Sequence, residues 1–191
     1  MIRRTATALA LLSLTACQTS GPSEEATIST RVENAALELA LASTPEPFVL
    51  AENAGPALRF STTHETGGEL TVGVGTPEYG LNLVAEATRQ GDAFRAMESG
   101  EYDGSRELGT PWGPAYYSRG SYAVANGREE QTWIFGLHPA GDSRLLTLTY
   151  TYPAGEGQSR VNELLGILGE IEAFLTIAPT PAEETGDAPT P

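Results

Sequence analysis

Few residues in this chain have side chains that could carry acid–base or nucleophilic chemistry. There are two histidines, His64 and His138, and they lie far apart in the sequence. A zinc site needs three or four histidine, cysteine or carboxylate ligands, so two isolated histidines predict neither a metal site nor a cofactor. The Gly-Asp-Ser block that ends at Ser143 holds a candidate nucleophile, but no histidine follows it. Gly, Asp and Ser also favour tight turns, so we interpret the block as a hairpin turn and predict no catalytic residue.

The first sixteen residues have the layout of a cleavable signal peptide. Arg3 and Arg4 give the N-terminus a positive charge, and the run Ala6–Leu14 is apolar and uncharged over nine residues. A membrane-spanning helix needs about 20 apolar residues, so this run is too short to cross a bilayer and fits the apolar region of a signal peptide. The sequence therefore predicts that residues 1–16 are removed from the mature protein.

The single cysteine of the chain, Cys17, follows this segment directly. Leu14, Thr15, Ala16 and Cys17 resemble the lipobox of bacterial lipoproteins, in which a leucine and two small residues precede the cysteine. The resemblance implies that a signal peptidase recognises Leu14, Thr15 and Ala16, and that Cys17 carries a lipid and begins the mature chain. Several acyl chains give durable anchoring where one chain is marginal. The membrane is therefore an expected partner, and no thiol remains for a disulfide.

The segments on either side of the folded part are polar. Residues 17–31 contain Gly and Pro and have nothing to bury, which predicts a flexible tether. Gln18 stands where an inner-membrane retention signal of enteric bacteria would have Asp, so we expect an envelope protein at the outer membrane, facing the periplasm, if the host is Gram-negative. Residues 178–191 are rich in proline and acids and predict a disordered tail. Residues 32–177 remain as a single domain.

The chain is strongly acidic. Its 25 acidic residues outnumber 11 arginines, there is no lysine, and the formal net charge is −14. Such a surface repels phosphate backbones, which argues against nucleic acid as a partner. It also argues against binding to anionic lipid through a basic patch. We interpret the acidity as serving solubility; acidic surfaces also suit salty surroundings.

One stretch in the middle of the chain has the composition of a binding surface. It concentrates Trp112, Tyr116, Tyr117 and Arg119, and these residue types are favoured in binding hot spots. Alternate side chains of a strand point to opposite faces, so Tyr116 should lie opposite Tyr117 and Arg119. We predict these four residues as a partner-binding site, with Trp112 at an exposed loop tip. The alternative is that the aromatic rings fill the core.

The first structural element can be interpreted in two ways. Leucines alternate with other residues over Ala36–Ala42, which is the period of a strand, and Pro45 follows. A capping box from Thr30 to Glu33 instead favours the start of a helix. We predict the strand.

Later elements have clearer patterns. Two alternating runs, Pro56–Thr63 and Glu69–Gly75, flank the turn residues HETGG and predict a hairpin. Apolar residues at steps of three and four predict a helix over Leu81–Met97. The stretch Glu98–Ser105 is interpreted as a loop.

The C-terminal half predicts a three-stranded meander followed by a helix. The strands are Ala115–Ala125, Glu129–His138 and Arg144–Pro153, joined by Gly-containing turns. The helix covers Ser159–Leu175, where most apolar residues fall on one stripe. Antiparallel strands interrupted by two helices predict an α+β fold, a sheet with both helices packed on it.

This order of elements resembles the PsbP/DcrB-like fold. The resemblance is carried by Glu129–His138, the stretch PAGDSRLLTLTYTYPAG, the helix Ser159–Leu175, and a first strand that ends near Pro45. It implies a PsbP/DcrB-like sandwich. That group includes extrinsic photosystem subunits and periplasmic or lipid-anchored proteins, mostly without known catalysis, and no site motif can be transferred from it.

Together these patterns predict a non-enzymatic lipoprotein that binds or supports an envelope protein. Two alternatives remain open. One is a carrier with an aromatic pocket between sheet and helix for a small ligand. The other is a hydrolase that uses Ser143.

Overall fold

The computed structural model describes residues 30–77, 80 and 82–174. The strands and helices of these residues are β1 Val32–Asn34, β2 Leu39–Leu41, β3 Phe48–Ala54, β4 Ala57–Thr62, β5 Glu69–Gly75, α1 Leu83–Ala96, β6 Glu101–Thr110, β7 Gly113–Val124, β8 Gly127–Leu137, β9 Leu145–Pro153, α2 Gly157–Gly169 and β10 Ile171–Ala173.

The strands form two antiparallel sheets. The larger sheet has seven strands in the order β3-β4-β5-β9-β8-β7-β6, and the smaller has the order β1-β2-β10. Strands β6 to β9 follow one another in the sheet as a meander, interrupted by no other element of the chain. The smaller sheet joins the first and last strands of the described chain, because β2 pairs with both β1 and β10.

The two faces of the large sheet are covered differently. Consecutive residues of a strand point to opposite faces, and Ile134 belongs to the main apolar cluster whereas Phe135 belongs to a second, smaller cluster. The main cluster also contains Leu164 of α2 and Leu39 of β2, so α2 and the small sheet lie on the Ile134 face. Leu83 of α1 belongs to the smaller cluster, so α1 lies on the Phe135 face.

Glycines allow α1 to approach the sheet closely. The ring of Phe94 packs against the Trp133 ring in a tilted arrangement, at a centroid distance of 4.5 Å. A Cβ on Gly120 would lie 2.7 Å from the Phe94 ring and 2.6 Å from the carbonyl oxygen of Glu101. A Cβ on Gly91 of the helix would lie 2.8 Å from the Tyr102 ring. Both positions therefore require glycine for the helix to pack at this distance.

A buried arginine fastens α2 to the β4–β5 hairpin. Arg160 is fully buried and donates to Tyr150 Oη at 3.0 Å, Thr66 Oγ1 at 2.8 Å and Glu156 Oε2 at 2.7 Å. Glu163, on the same helix, accepts from Tyr150 Oη at 2.9 Å. The guanidinium charge of Arg160 is paired with Glu156, and its N–H groups donate hydrogen bonds. An arginine is tolerated in a core under these conditions.

The structure confirms the predicted α+β class, with two helices packed on an antiparallel sheet. The predicted hairpin is β4–β5, the predicted first helix is α1 within two residues at its start and one at its end, and the meander is β7–β9. In β9 the threonines alternate with buried leucines and tyrosines, as the sequence pattern indicates.

The prediction for the first element is correct only for its second half. The strand covers Leu39–Leu41, whereas Ala35–Glu38 forms a turn in which Glu38 has a φ of 53°. The stretch Val32–Asn34 forms β1, so the helix suggested by the capping box is absent from these residues. The alternating leucines belong to the short hairpin of β1 and β2. Leu37 in its turn and Leu39 in β2 are both buried in the main cluster.

The predicted loop Glu98–Ser105 is wrong, because β6 begins at Glu101. A bulge between Tyr102 and Gly104 shifts the register against β7, so the period-2 pattern that identifies a strand is interrupted there. Tyr102 packs the start of this strand against α1, because its ring stacks with the Phe94 ring at a centroid distance of 6.0 Å.

The second helix is shorter than predicted and starts earlier. It begins at Gly157 rather than Ser159 and ends at Gly169, and Ser159 Oγ donates to the Glu156 carbonyl at 2.8 Å instead of capping the helix. Ile171 then pairs with Leu41 in the small sheet. Ile171 is buried in that sheet, and its apolar side chain is one of those that led us to predict a longer helix. Leu175 lies outside the described residues.

Candidate functional site

The four residues of the predicted binding site lie on both sides of the large sheet. In β7, Tyr116 pairs with Phe135 and Tyr117 pairs with Ile134, so the two tyrosines face α1 and α2 respectively. Arg119 lies on the Tyr117 side, as predicted from strand alternation. The structure therefore brings Tyr117 and Arg119 together and separates them from Tyr116.

Tyr116 contributes to a shallow groove beside α1. Its ring stacks with Phe135 at a centroid distance of 5.9 Å. The groove, of about 190 Å³, is also lined by Val84, Tyr102 and Arg95, and the guanidinium of Arg95 lies 5.1 Å from the centre of the Tyr102 ring. A cation over an aromatic face is attracted by the ring quadrupole, so the polar part of this groove is already paired.

Trp112 is not at an exposed loop tip. It lies in the tight turn between β6 and β7, is half-buried, and packs against the main apolar cluster together with Leu108. Because β6 is a strand and not a loop, the turn is short and its side chain folds back onto the core. The indole contributes to packing on the same face as Tyr117.

Tyr117 and Arg119 line a small concavity at the edge of the Ile134 face. It has a volume of about 120 Å³ and is also lined by Asp103 and Arg106 of β6 and by Gln158 of α2. Arg119 Nε donates to Asp103 Oδ2 at 2.7 Å. Burial raises the pKa of Tyr117, against the opposing effect of the two arginines, so the phenol is a neutral donor in this concavity at ordinary pH.

The start of α2 closes over one side of this concavity. Glu130 accepts the Gly155 N–H at 3.0 Å through Oε1, and its Oε2 is buried without a hydrogen-bond partner. A Cβ on Gly157 would lie 2.6 Å from both Arg119 Nη1 and Glu130 Oε2. Glycine at the first residue of α2 thus lets the helix begin directly against these two charged groups.

Arg106 differs from every other arginine of the described residues. The eight others, namely Arg31, Arg59, Arg89, Arg95, Arg119, Arg128, Arg144 and Arg160, each have a carboxylate within 4.0 Å. Arg106 is exposed and has no such partner in this part of the chain. Sequence reasoning missed Arg106, Asp103 and Gln158. Alternation of Gly104, Arg106 and Leu108 was the available signal for Arg106, whereas Asp103 lies at the bulge and had no such signal.

A second concavity lies on the uncovered part of the Phe135 face. It is an open groove of about 560 Å³, lined largely by threonines of β5 and β9 with Glu69, Glu129 and Gln131. Gln131 donates to Thr151 Oγ1 at 2.9 Å, and Tyr122 donates to Glu129 at 2.8 Å. Gln131 and Glu129 are therefore paired with neighbouring side chains, and the remaining polar lining is typical of a solvated sheet face.

The histidines have structural contacts. His138 is fully buried, with Nε2 3.0 Å from the Leu37 carbonyl oxygen, and Nδ1 accepts from the Ala140 N–H at 3.2 Å. Nε2 must therefore carry the proton, and neither nitrogen is free to act as a base for Ser143, which is exposed in the turn. His64 Nε2 lies 2.9 Å from Glu163 Oε1. Within residues 30–77, 80 and 82–174, no group of three or more His, Cys, Asp or Glu side chains could hold a metal ion.

The predicted lipidation and processing residues, Leu14, Thr15, Ala16 and Cys17, lie outside the described residues. The predicted signal peptide (1–16), the predicted tail (178–191) and residues 17–29 of the predicted tether also lie outside the described residues. Neither of the two described helices is long and apolar enough to cross a membrane.

Comparisons with known proteins found likeness at the level of structure. No protein-family model matches the chain, and no curated protein does. A solution structure of cyanobacterial PsbP (CyanoP) from Synechocystis sp. PCC 6803 is similar with a TM-score of 0.53 at 12% identity, covering 84% of this chain and 99% of that protein. LpqN, described as involved in cell envelope biogenesis of Mycobacterium tuberculosis, has a TM-score of 0.53 at 9% identity, covering 78% and 86%.

A crystal structure from Bacteroides thetaiotaomicron VPI-5482 is also similar, with a TM-score of 0.52 at 11% identity. It covers 76% of this chain, but the chain spans only about half, 48%, of that protein. At these identities the likeness concerns the fold alone. The chain has the PsbP-like α+β fold that its order of elements predicted.

Proposed function

We propose that this chain is a non-enzymatic binding module of the cell envelope. A lipid on Cys17 holds it at a membrane, and the concavity formed by Arg106, Tyr117 and Arg119 receives an acidic group of an envelope partner. The observation that carries the proposal is the guanidinium of Arg106, which has no carboxylate partner among the described residues and lies beside Arg119 in one concavity of an otherwise acidic protein.

The chemistry of the concavity suits a carboxylate or a phosphate. A guanidinium presents its N–H donors in a planar fork that matches two oxygens of such a group. Tyr117 adds a neutral phenol donor, and Gln158 adds a side-chain amide. Asp103 pairs with Arg119, and the Glu130 carboxylate lies near the same guanidinium, so Arg106 is the guanidinium that has no carboxylate partner among the described residues and can meet an incoming anion.

The dimensions of the two concavities beside the predicted aromatic residues favour recognition of a group on a partner over the carriage of a free ligand. The concavities at Tyr117 and at Tyr116 measure about 120 and 190 Å³. Pockets that enclose small-molecule ligands are commonly about 300–1,000 Å³. A single side chain or headgroup fits the smaller space, whereas a carried ligand would remain mostly exposed.

The envelope setting rests on the N-terminal sequence, and the description of one structural neighbour agrees with it. The lipobox-like residues before Cys17 supply the membrane attachment, and Gln18 favours the outer membrane, facing the periplasm. LpqN is described as involved in cell envelope biogenesis of Mycobacterium tuberculosis. The role as a module without catalysis is supported by the structural use of both His138 nitrogens.

The acidic-group contact is tested by titrating the isotope-labelled full chain, with Cys17→Ala to keep it free of lipid, and following backbone amide NMR shifts. Two probes are used: inorganic phosphate and a short peptide with two glutamates. We expect saturable shifts centred on Arg106, Tyr117 and Gln158. Arg106→Ala should weaken the binding of whichever probe binds about tenfold, the value of a charge-assisted hydrogen bond of about 1.5 kcal/mol.

Arg95→Ala is the matched control, since it removes one exposed arginine from the opposite face. It should leave the affinity unchanged. Equal weakening by both variants would mean general charge attraction and would overturn the proposal, as would the absence of saturable shifts with either probe. Binding of the peptide but not phosphate would identify a carboxylate partner, and the reverse result would identify a phosphate-bearing one.

A further inference from the structure

The concavity proposed to bind an acidic group contains negative side chains as well as Arg106 and Arg119. Asp103 Oδ2 accepts from Arg119 Nε at 2.7 Å. A Cβ on Gly157 would lie 2.6 Å from Arg119 Nη1 and 2.6 Å from Glu130 Oε2, so Glu130 approaches the same guanidinium from the α2 side. Two arginines and two carboxylates thus meet at this concavity.

The Tyr117 phenol lies among all four of these charges. Burial is the main cause that raises its pKa, and the charges of Arg119 and Arg106 act against this rise. The charges of Asp103 and Glu130 add to it. An anion that accepts a hydrogen bond from the phenol therefore meets two positive and two negative side chains, whose formal charges sum to zero.

The fold holds both carboxylates at the concavity. Asp103 lies at the bulge of β6 and is paired with Arg119. Glu130 Oε1 accepts the Gly155 N–H at 3.0 Å, and its Oε2 is buried without a hydrogen-bond partner. Their negative charges are therefore a built-in part of the site, and a ligand must bind in their presence.

A site with so small a net charge selects anions by the number of their charges. The attraction between ligand and site grows in proportion to the ligand charge, whereas the cost of taking the ligand out of water grows with the square of that charge. A strongly positive site therefore favours a phosphate dianion. Here the two carboxylates lower the positive potential, and the whole chain adds a net charge of −14, so the desolvation cost decides in favour of a single charge.

We infer that this concavity takes a carboxylate and discriminates against a phosphate dianion, and that Asp103 determines this specificity. The inference rests on the proposed function, because it concerns the ligand of the same site. The guanidinium of Arg106 matches the two oxygens and the one charge of a carboxylate, and Tyr117 and Gln158 line the same space with neutral donors. An acidic side chain or the end of a peptide chain can supply the carboxylate.

The first test compares the affinities of three peptides for the full chain with Cys17→Ala, followed by backbone amide NMR shifts at pH 7.5. A Gly-Glu-Gly peptide blocked at both ends carries one negative charge, and the same peptide with phosphoserine in place of the glutamate carries nearly two. An acetylated triglycine with a free C-terminus presents a terminal carboxylate. The better of the two carboxylate peptides should bind at least about threefold more tightly than the phosphoserine peptide, and its identity shows the source of the carboxylate.

The second test changes the specificity. Asp103→Asn removes one negative charge and keeps an oxygen that can accept from Arg119 Nε. It should strengthen binding of the carboxylate peptide about threefold and of the phosphoserine peptide about tenfold, because the electrostatic gain grows with the ligand charge. Asp92→Asn is the matched control, since it removes the same charge from an exposed position on α1, on the other side of the sheet. It should leave both affinities unchanged.

The outcomes separate this inference from the proposed function. If the phosphoserine peptide binds as tightly as the better carboxylate peptide, and Arg106→Ala weakens its binding, the carboxylate assignment is wrong while the proposed function stands. Equal changes in the ratio of affinities from Asp103→Asn and Asp92→Asn would reject the role of Asp103. The absence of saturable binding by all three peptides would overturn the proposed function and this inference together.

Discussion

Arg160 donates from Nη1 to the Tyr150 hydroxyl over 3.0 Å in a site where the guanidinium is fully buried. This contact joins α2 to the centre of the large sheet. Arg160→Met should lower the free energy of unfolding by about 3 kcal/mol, because it leaves Glu156 and the Tyr150–Glu163 pair without their cation in a partly dry site. Urea unfolding followed by circular dichroism measures the change. Arg95→Ala, at an exposed ion pair, should change stability by less than about 0.5 kcal/mol; similar losses from both would refute a role for burial.

The close approach of α1 predicts a specific intolerance in β7. Gly120→Ala places a methyl group against the Phe94 ring and the Glu101 carbonyl, and overpacking of this kind costs about 1–3 kcal/mol. Gly109→Ala is the matched control in neighbouring β6, where nothing lies within 4 Å of the new Cβ. Thermal unfolding should show a lower Tm for Gly120→Ala alone. Equal melting temperatures would mean that α1 can move away from the sheet without cost.

Alkaline pH should destabilise the fold before all of its phenols ionise. Burial, aided by the hydrogen bond to Glu129, raises the pKa of Tyr122 to about 12, and burial also raises the pKa of Tyr152 to about 12. A folded-state pKa above the unfolded value of about 10 means that the folded protein binds more protons above pH 10. These two phenols therefore contribute fully to the free energy of unfolding below pH 10, and this contribution is lost as the pH rises towards 12.

The measurement is the urea midpoint at pH 8, 10 and 11, together with tyrosinate absorbance. Tyr152→Phe should have a lower midpoint at pH 8, because the Thr132–Tyr152 hydrogen bond of 2.8 Å is lost. Its midpoint should then fall less steeply above pH 10 than that of the parent chain. Ionisation of every tyrosine near pH 10 in a protein that remains folded would contradict the burial argument.

Cys17→Ala should remove lipid from the protein and detach it from membranes. The expected readouts in the bacterial host are loss of labelling by a radioactive fatty acid and release into the soluble fraction. Ser20→Ala, three residues further on in the same polar segment, is the control and should keep both label and attachment. Persistence of label and attachment in Cys17→Ala would reject the lipoprotein hypothesis.

The sequence predicted those elements whose burial follows a regular period. In β9 each threonine alternates with a buried side chain, and such a pattern has one structural interpretation. β3 buries little beyond Phe48, so no periodic signal marks it as a strand. Ile171 continues the apolar stripe of α2 by sequence, and only its pairing with Leu41, far away in the chain, makes it part of a sheet.

Only the part of the candidate site that lies on one strand, β7, could be predicted from the sequence. Alternation alone put Tyr117 and Arg119 on one face, since both belong to β7. Arg106 and Gln158 reach the same concavity from β6 and α2, and this meeting depends on tertiary packing. Several arginines pair with a carboxylate within four residues, as Arg95 does with Asp92, whereas others use distant partners, as Arg128 does with Glu101, so the sequence does not show which arginine lacks a partner.

The small sheet has a consequence for the connectivity of the molecule. β1 and β10 flank β2, and Arg31 Nη1 lies 2.6 Å from Glu172 Oε2, so the first and last described strands are two strand spacings apart, about 10 Å. A few residues would bridge that gap. The backbone of the domain is therefore nearly a closed ring, and the exposed turn at Gly141–Ser143 could be opened to give a circularly permuted chain with every strand pairing intact.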